Sequence, residues 1–274
     1  MRVEHIWGTA IGVDIRDVVD LALADSIFSW FRRVDDLFST WRPETEISRI
    51  GRGELTPDDA SVEVRQVLDL CEQIRLDSRG AFDITVGADP RATPREGLGP
   101  LDPSGLVKGW ALDRAAGTLQ HSGVVNFTIN AGGDVITRGR PHPADEWRIG
   151  IQHPWVRDKV AAVVAGNDLA VATSGRYERG EHILDPSTGR PPTGLAAVTV
   201  IAHDLAHADG YATAAIALGH EGMPWLAGLD HLEAMGITDS GDVILTQGFE
   251  RFRRPPGSAR GSPASPETDS HQVD

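Results

Sequence analysis

Two oxygen-bearing side chains in residues 207–219, HADGYATAAIALG, form the first candidate site. Asp209 and Thr213 are four residues apart at the start of a predicted helix, so their side chains lie on the same face. A carboxylate and a hydroxyl are hard oxygen ligands of the kind that Mg²⁺ prefers, with water and a substrate phosphate completing its coordination. The alternative is structural, because the helix dipole favours an aspartate in the first turn and the threonine would then simply be buried.

A second candidate is the segment LDPSGLVKGWALDRA, residues 101–115, which combines a turn with the start of a helix. The free N–H groups and partial positive charge of a helix N-terminus form an anion site, and the turn at Asp102–Gly105 leads directly into it. Lys108 lies in the first turn, where the dipole disfavours a cation, so a bound anion would explain it. Otherwise Asp102 or Ser104 only caps the helix and Lys108 is solvated.

A third candidate is TSGRYERGEHILDPSTGRPP, residues 173–192, which follows a predicted strand. So polar a segment on a rigid scaffold is typical of a binding loop. The side chains in this segment that could take part in binding or catalysis are Ser174, Arg176, His182, Asp185 and Thr188. His182 could act as a general base near neutral pH. The alternative is a long surface hairpin.

Other motifs are weaker. NAGGDV, residues 130–135, allows a sharp turn or the close approach of a flat ligand, and a hairpin turn is its commoner use. His203 and His207 have H-x-x-x-H spacing but lack the glutamate of H-E-x-x-H and an evident third ligand, which argues against zinc. The sequence has no G-x-S-x-G, G-x-x-x-x-G-K-[ST] or C-x-x-C motif, which excludes the usual esterase, P-loop and thiol-redox sites.

Composition narrows the possible ligands. The 274 residues are 40% hydrophobic and 24% charged, as in a soluble globular protein, and the single cysteine, Cys71, excludes an intrachain disulfide. The net charge of −14 argues against a nucleic-acid partner, whose phosphates would have to meet lysine and arginine. A local phosphate site would need backbone N–H groups, a helix terminus or a divalent cation to offset the repulsion.

The N-terminal residues bear on location. MRVEHIWGTAIGVDI contains no long apolar segment and no lipobox-like cysteine, and the chain has no run of 18 apolar residues. We therefore expect no membrane span, and a cytoplasmic rather than an extracytoplasmic location.

The elements that must position these side chains follow from periodicity and turn residues. Helices are predicted over about 24–38, 58–77, 106–120, 208–218 and 223–229, with loops over 39–51 and 87–105. Strands are predicted over 3–15, 124–129, 134–138, 147–151, 160–165, 169–173, 196–202 and 242–246. This order is not a regular β-α-β alternation, so we expect an α+β fold with largely antiparallel sheets. Residues 1–253 are predicted to form one domain and residues 254–274 a disordered tail.

Taken together, the segments resemble the ApbE family of FAD:protein FMN transferases. The resemblance runs in order from Trp7 to about Thr246 and rests on these eight motifs: WGTAI, STWRPETEISRI, GAFDITVG, LDPSGLVKGWALD, NAGGDV, WRIGIQHP, ATSGRYER with HILDPSTGRP, and ADGYATA. Each motif is modest, but eight in the right order are specific. The resemblance implies an ApbE-like (T-fold-like) fold of antiparallel sheets packed with helices.

The resemblance also implies an activity. Family members bind FAD and Mg²⁺, move FMN from FAD onto a Ser or Thr hydroxyl of an acceptor flavoprotein and release AMP, while some hydrolyse FAD to FMN and AMP. A non-catalytic FAD-binding protein with the same fold is a further alternative.

Individual residues follow from the same resemblance. It places these residues at the FAD: Trp7, Trp41, Ala81, Phe82, Asp83, Asp102, His182 and Ile183. The Gly105 carbonyl, Asp209 and Thr213 would hold Mg²⁺. The chemistry of the residues adds that Lys108 could pair with a phosphate, and that His182 or a nearby carboxylate could take the proton of the acceptor hydroxyl. His182 and Asp209 are therefore the candidate catalytic residues.

The sequence departs from the family pattern at three positions. Trp7 stands where methionine is usual, Gly105 where alanine is common, and Arg176 where an acidic or amide residue is frequent. Arg176 is expected to add positive charge beside the phosphate site. The family's lipoprotein leader is not seen in this sequence.

Overall fold

The computed structural model describes residues 1–86, 100–156, 158–176 and 183–255, which form six α-helices and eleven β-strands. The helices are α1 (Leu21–Phe38), α2 (Glu46–Gly51), α3 (Val62–Asp77), α4 (Ser104–His121), α5 (Leu205–Ala217) and α6 (Gly222–Ala227). The strands are β1 (Arg2–Ile6), β2 (Thr9–Ile15), β3 (Phe127–Ala131), β4 (Asp134–Arg138), β5 (Trp147–Gln152), β6 (Val160–Gly166), β7 (Ala170–Gly175), β8 (Leu195–Ala202), β9 (Glu233–Thr238), β10 (Val243–Leu245) and β11 (Arg253–Arg254).

Two antiparallel sheets and a layer of helices make up the architecture. The larger sheet has the order β1-β2-β3-β4-β7-β8-β9-β10, and the smaller has the order β11-β6-β5. All pairings between these strands are antiparallel. The expected α+β fold with antiparallel sheets is therefore confirmed.

Strand β8 lies between two core clusters. Val198 and Val200 belong to the cluster on the helix side of the larger sheet. Ala197 and Ile201 belong to the cluster shared with the smaller sheet. Because alternate residues of a strand face opposite sides, both faces of β8 are buried, and its sequence is a continuous apolar run.

Helix α1 covers the sheet with one apolar stripe. Ile27, Phe31 and Val34 recur at three- and four-residue steps and are buried, while Arg32 is exposed. The Asp20 carboxylate caps the helix by accepting a hydrogen bond from the Ala22 N–H.

Helices α4 and α5 lie in contact on the helix side of the sheet. Helix α5 is rich in alanine, and Ala208, Ala212 and Ala215 are fully buried. These small side chains let α5 approach α4 and the sheet closely. The close approach brings residues of both helices to the end of β7.

Several predicted elements are confirmed, and others need correction. Periodicity located α1, α3, α4 and α5 to within a few residues. The predicted strand over 3–15 is instead a hairpin, with Trp7 and Gly8 at positive φ (59° and 72°), as a type I′ turn requires.

Helix α2 and strands β9 and β11 lie outside the sequence prediction. The predicted loop over 39–51 contains helix α2, which Thr45 caps by accepting a bond from the Ser48 N–H. The sequence does not predict strand β9, because its Ala-Met-Gly-Ile stretch is too short to show a strand periodicity.

The chain ends bear on the remaining expectations. Arg254 lies in β11, so the structure extends into the predicted tail by at least that residue, while residues 256–274 lie outside the described ranges. Among the helices of the described residues, none is both long enough and apolar enough to cross a bilayer.

Candidate active site

A cavity lies where the N-terminal part of α4, the middle of α5 and the end of β7 meet. The segments 81–86 and 183–186 close its other sides. Nine residues predicted from the sequence line it: Ala81, Phe82, Asp83, Asp102, Gly105, Lys108, Ile183, Asp209 and Thr213.

Gly105 and Thr213 face each other across the two helices. The Thr213 hydroxyl donates to the Gly105 carbonyl over 3.4 Å. A Cβ on Gly105 would lie 3.1 Å from the Thr213 side chain and 3.3 Å from the Phe82 ring. The absence of a side chain at Gly105 therefore leaves the space beside its carbonyl and the Thr213 hydroxyl narrow but open.

Asp209 is the buried carboxylate of this site. It is 3% exposed, and its Oδ2 accepts a hydrogen bond of 3.1 Å from the backbone N–H of Gly109 on α4. One carboxylate oxygen is thereby fixed in direction by the neighbouring helix.

Ser174 is a site residue to which the sequence assigned no role beyond membership of a polar loop. Its hydroxyl lies 3.1 Å from that of Thr213. Ser174 is in β7, on the same side of the strand as Ala170 and Ala172, which face the helices. The sequence held a usable signal, because counting in steps of two along the strand from Ala170 places Ser174 on the helix side.

The oxygen atoms at this point fit a small divalent cation. Mg²⁺ takes oxygen ligands at about 2.1 Å in octahedral geometry, so that neighbouring ligands stand roughly 2.9 Å apart. The Gly105 carbonyl and Thr213 hydroxyl are separated by 3.4 Å, and the Asp209 carboxylate supplies charge beside them. These three residues would hold the ion.

Lys108 contributes positive charge to the cavity. Its Nζ lies 2.6 Å from Oδ2 of Asp134, which is fully buried at the start of β4. The other oxygen of Asp134 accepts a bond of 2.9 Å from the Thr173 N–H. Asp134, the aspartate of the NAGGDV motif, therefore links Lys108 to β7. The sequence does not predict this ion pair.

The segment with Phe82 forms the apolar side of the cavity. Phe82 is 4% exposed, and its backbone N–H donates to the buried Ser78 hydroxyl over 3.0 Å. The backbone of Asp102 bonds to that of Ile84, which joins this segment to the turn before α4. The Asp102 carboxylate accepts from the Ser104 N–H at the start of α4 and also lines the cavity.

Comparison with known proteins decides the family. The sequence model of the ApbE family matches residues 7–94 and 92–236. The chain belongs to the ApbE family. A curated relative, named FAD:protein FMN transferase, from Vibrio cholerae serotype O1 is 28% identical over 306 residues, which cover 91% of each chain.

Solved structures of ApbE proteins share the fold. The flavin transferase ApbE from Vibrio cholerae superposes with a TM-score of 0.77 at 26% identity, covering 92% of this chain and 98% of that one. The ApbE protein from Thermotoga maritima superposes with a TM-score of 0.78 at 24% identity, covering 93% and 99%.

Two tryptophans that the ApbE resemblance assigned to the FAD lie outside the lining of the cavity. Trp7 occupies the β1–β2 turn, where its indole N–H donates to the Phe31 carbonyl over 3.2 Å and its ring packs edge-on against Phe31. Trp41 is 88% exposed. Their role at the flavin stays a prediction.

The ApbE segment with the general-base candidate is described only in part. His182 lies outside the described residues, and Ile183 lines the cavity. Arg176 is paired with Asp239 and donates to the Pro192 carbonyl over 2.9 Å, so it braces a turn. Arg176 does not line the cavity, and the expectation that it adds charge beside the phosphate site stays a prediction.

The remaining motifs form structural features. Gly132 and Gly133 have positive φ (59° and 98°) in the β3–β4 hairpin, as in the turn alternative for NAGGDV. The His207 ring forms a hydrogen bond with the Asp204 carboxylate, which raises the pKa of His207.

In the described ranges, no group of three or more His, Cys, Asp or Glu side chains is placed so that it could bind a metal ion.

Proposed function

We propose that this chain is a Mg²⁺-dependent FAD:protein FMN transferase, which moves FMN from FAD onto a Ser or Thr hydroxyl of an acceptor flavoprotein and releases AMP. The curated ApbE relatives carry the name of this activity. The observation that carries the proposal is the convergence of the Gly105 carbonyl, Asp209 and Thr213 in a cavity that also contains Lys108.

The reaction exchanges the phosphoanhydride bond of FAD for a phosphoester bond to the acceptor. The acceptor hydroxyl oxygen bonds to the phosphorus of the FMN half, and the bond from that phosphorus to the bridging oxygen breaks. AMP leaves with the bridging oxygen. The hydroxyl proton passes to a base, a role that we assign to His182 because a neutral imidazole accepts protons near pH 7.

The described residues bind and orient the nucleotide. Lys108 would pair with a phosphate oxygen while Asp134 holds its side chain in place. Phe82 and Ile183 line the cavity with apolar surface, against which a flavin or adenine ring would exclude water. Asp102 would contact the FAD at the start of α4, and Ala81 and Asp83 line the same side.

A divalent cation meets an electrostatic need of this chain. The net charge is −14, and Asp83, Asp102 and Asp209 line the same cavity as the proposed pyrophosphate. When bound by Gly105, Asp209 and Thr213, Mg²⁺ would offset that repulsion and stabilise negative charge on the phosphoryl oxygens.

The test combines the protein with FAD, Mg²⁺ and a flavin-acceptor domain that carries a Ser/Thr target. Nucleotides are separated by chromatography and the intact acceptor is weighed. We expect an acceptor heavier by one FMN, an equal amount of AMP, and loss of both with EDTA. Asp209→Asn should lose both products, whereas Asp204→Asn, a conservative change in the N-cap of the same helix, should retain them.

Other outcomes identify the alternatives. Free FMN and AMP with an unmodified acceptor would indicate an FAD pyrophosphatase that uses water as the nucleophile. Tight FAD binding without either product, across several acceptors, would indicate a binding protein. Full activity in EDTA would contradict the metal assignment.

A further inference from the structure

Helices α4 and α5 meet along two matched stripes of residues. On α4, Gly105, Gly109 and Asp113 are spaced by four, and on α5, Leu205, Asp209 and Thr213 have the same spacing. The stripes pair in antiparallel order, because Gly105 contacts Thr213, Gly109 binds Asp209, and Asp113 binds Leu205. The first two pairs belong to the proposed metal site, whereas the third lies outside it.

Asp113 binds the start of α5 directly. Its two carboxylate oxygens accept from the Leu205 N–H over 3.0 and 2.9 Å, and Oδ2 accepts from the Ala206 N–H over 2.8 Å. These are the first two N–H groups of α5, which have no acceptor inside the helix. A carboxylate at this position also interacts favourably with the helix dipole.

The two helix backbones are in close contact beside this link. A Cβ on Gly109 would clash with the carbonyl oxygen of Leu205. Asp113 therefore binds the N–H of Leu205, the residue whose carbonyl lies against Gly109. A shift of α5 along its axis would move Asp209 and Thr213 away from Gly105 by the same amount, since a helix moves as a rigid rod.

We propose that Asp113 is a positioning residue, which fixes the register of α5 against α4 and thereby holds Asp209 and Thr213 opposite the Gly105 carbonyl. The inference rests on the proposed metal site and adds a residue to which neither the sequence motifs nor the cavity lining assigned a role. Removal of a residue that orients metal ligands without binding the metal typically lowers metal affinity 10- to 100-fold.

Asp204 provides a matched control. It is the N-cap of the same helix and accepts from the His207 N–H over 2.9 Å, a bond that closes within α5. Asp204→Ala and Asp113→Ala each remove one carboxylate from the same helix end. Only Asp113→Ala removes the link to α4.

The experiment measures Mn²⁺ binding to the full-length protein in the presence of FAD, from the electron paramagnetic resonance signal of free Mn²⁺. We expect the dissociation constant to rise tenfold or more in Asp113→Ala and to change less than threefold in Asp204→Ala. Asp113→Asn, which keeps the side-chain volume and one acceptor oxygen, should be intermediate and serves if the alanine variant folds poorly. Backbone hydrogen exchange at Leu205 and Ala206 should accelerate in Asp113→Ala more than in Asp204→Ala.

Kinetics separate positioning from a general loss of structure. In Asp113→Ala, saturating Mg²⁺ should restore kcat because the ligands remain, whereas Asp209→Ala should not recover. Wild-type Mn²⁺ affinity in Asp113→Ala, or an equal loss in Asp204→Ala, would overturn the inference. If Asp209→Ala binds Mn²⁺ as the wild type does, the metal site itself is wrong, and the inference is overturned with it.

Discussion

At the scale of single residues, Lys108 and Asp134 form a buried ion pair beside the candidate site. Asp134 is fully buried, and Lys108 is 17% exposed over its side chain. Removing one partner of a buried ion pair strands the other charge, whereas neutral replacement of both partners is often tolerated.

We therefore predict that Lys108→Met lowers the free energy of unfolding by about 3–5 kcal/mol. The double variant Lys108→Met/Asp134→Asn should recover most of this loss, because the side-chain amide introduced by Asp134→Asn keeps an acceptor for the Thr173 N–H. FAD affinity should fall roughly 10- to 100-fold in both variants, since the charged phosphate contact is gone from each. Urea denaturation and FAD titration measure the two effects. Additive stability changes in the double-mutant cycle would show that the pair is not coupled.

A second residue-scale prediction concerns the metal ligand. Asp209→Asn keeps an acceptor for the Gly109 N–H but loses the negative charge. We expect turnover to fall by about a hundredfold or more, because a bound cation contributes several kcal/mol of charge stabilisation. The melting temperature should change little. Unchanged turnover would mean that Asp209 binds no catalytic metal.

At the scale of elements, the glycines of α4 are not equivalent. A Cβ on Gly109 would meet the Leu205 carbonyl of α5, while one on Gly117 would meet nothing within 4 Å. Gly117→Ala should stabilise the protein by about 0.5–1 kcal/mol through helix propensity. Gly109→Ala should destabilise it by about 1–3 kcal/mol and weaken Mn²⁺ binding, because it pushes the helices apart. Equal effects of the two substitutions, measured by thermal unfolding, would contradict close packing of α4 on α5.

The contact between Asp113 and α5 also predicts a pH dependence. Burial raises the pKa of Asp113 to about 6, although the Leu205 and Ala206 N–H groups oppose this shift. In the unfolded chain the pKa is about 3.9, so between pH 4 and 6 the native state binds more protons at this group. Its contribution to the free energy of unfolding therefore falls as pH rises, by at most about 1.4 kcal/mol per pH unit.

Asp113→Asn should accordingly gain stability relative to the wild type from pH 4 to pH 7. Asp17→Asn is the control of opposite sign, since hydrogen bonds from Asn126 lower the pKa of Asp17. The advantage of the wild type over Asp17→Asn should grow with pH. Urea denaturation at pH 4, 5.5 and 7 measures both differences, and a pH-independent gap for Asp113→Asn would contradict the raised pKa.

Elements also show what the sequence could and could not predict. The stripe of α1 and the four-residue spacing of Asp209 and Thr213 are local patterns, and both were correctly interpreted as helical. The contact between Lys108 and Asp134 joins distant parts of the chain, so no local pattern revealed it. The hairpin at Trp7 was missed because its turn contains only one glycine and the apolar residues continue through it.

At the scale of the whole molecule, the family resemblance grouped the residues that line one cavity more completely than local pattern did. From the sequence, Asp102 is as consistent with a helix cap as with a ligand contact. In the structure its carboxylate accepts from the Ser104 N–H at the start of α4 and lines the cavity. Ser174 lines the cavity from β7, and Asp134 pairs with Lys108 from β4. These contacts become visible only when strand order brings β4 and β7 together. The sequence could therefore group polar residues that share one helix, whereas it could not group residues that the pairing of distant strands brings together.

The boundary between the folded chain and its C-terminal residues can be tested at this same scale. Strand β11 pairs with β6, and the Phe252 carbonyl accepts from the Ala165 N–H over 2.8 Å. Phe252 also packs against the core between the two sheets. Beyond Pro255 the sequence is polar and rich in proline, serine and glycine, a composition with little apolar surface to bury.

We expect truncation after Pro255 to leave activity unchanged and to shift the melting temperature by less than about 2 °C. Truncation after Arg251 should lower it by about 5–10 °C, because it removes β11 and Phe252 and exposes the edge of β6. Differential scanning calorimetry of the two truncated chains measures the difference. A large loss in the longer chain would mean that residues 256–274 contribute to the fold, since every β11 contact is retained in it.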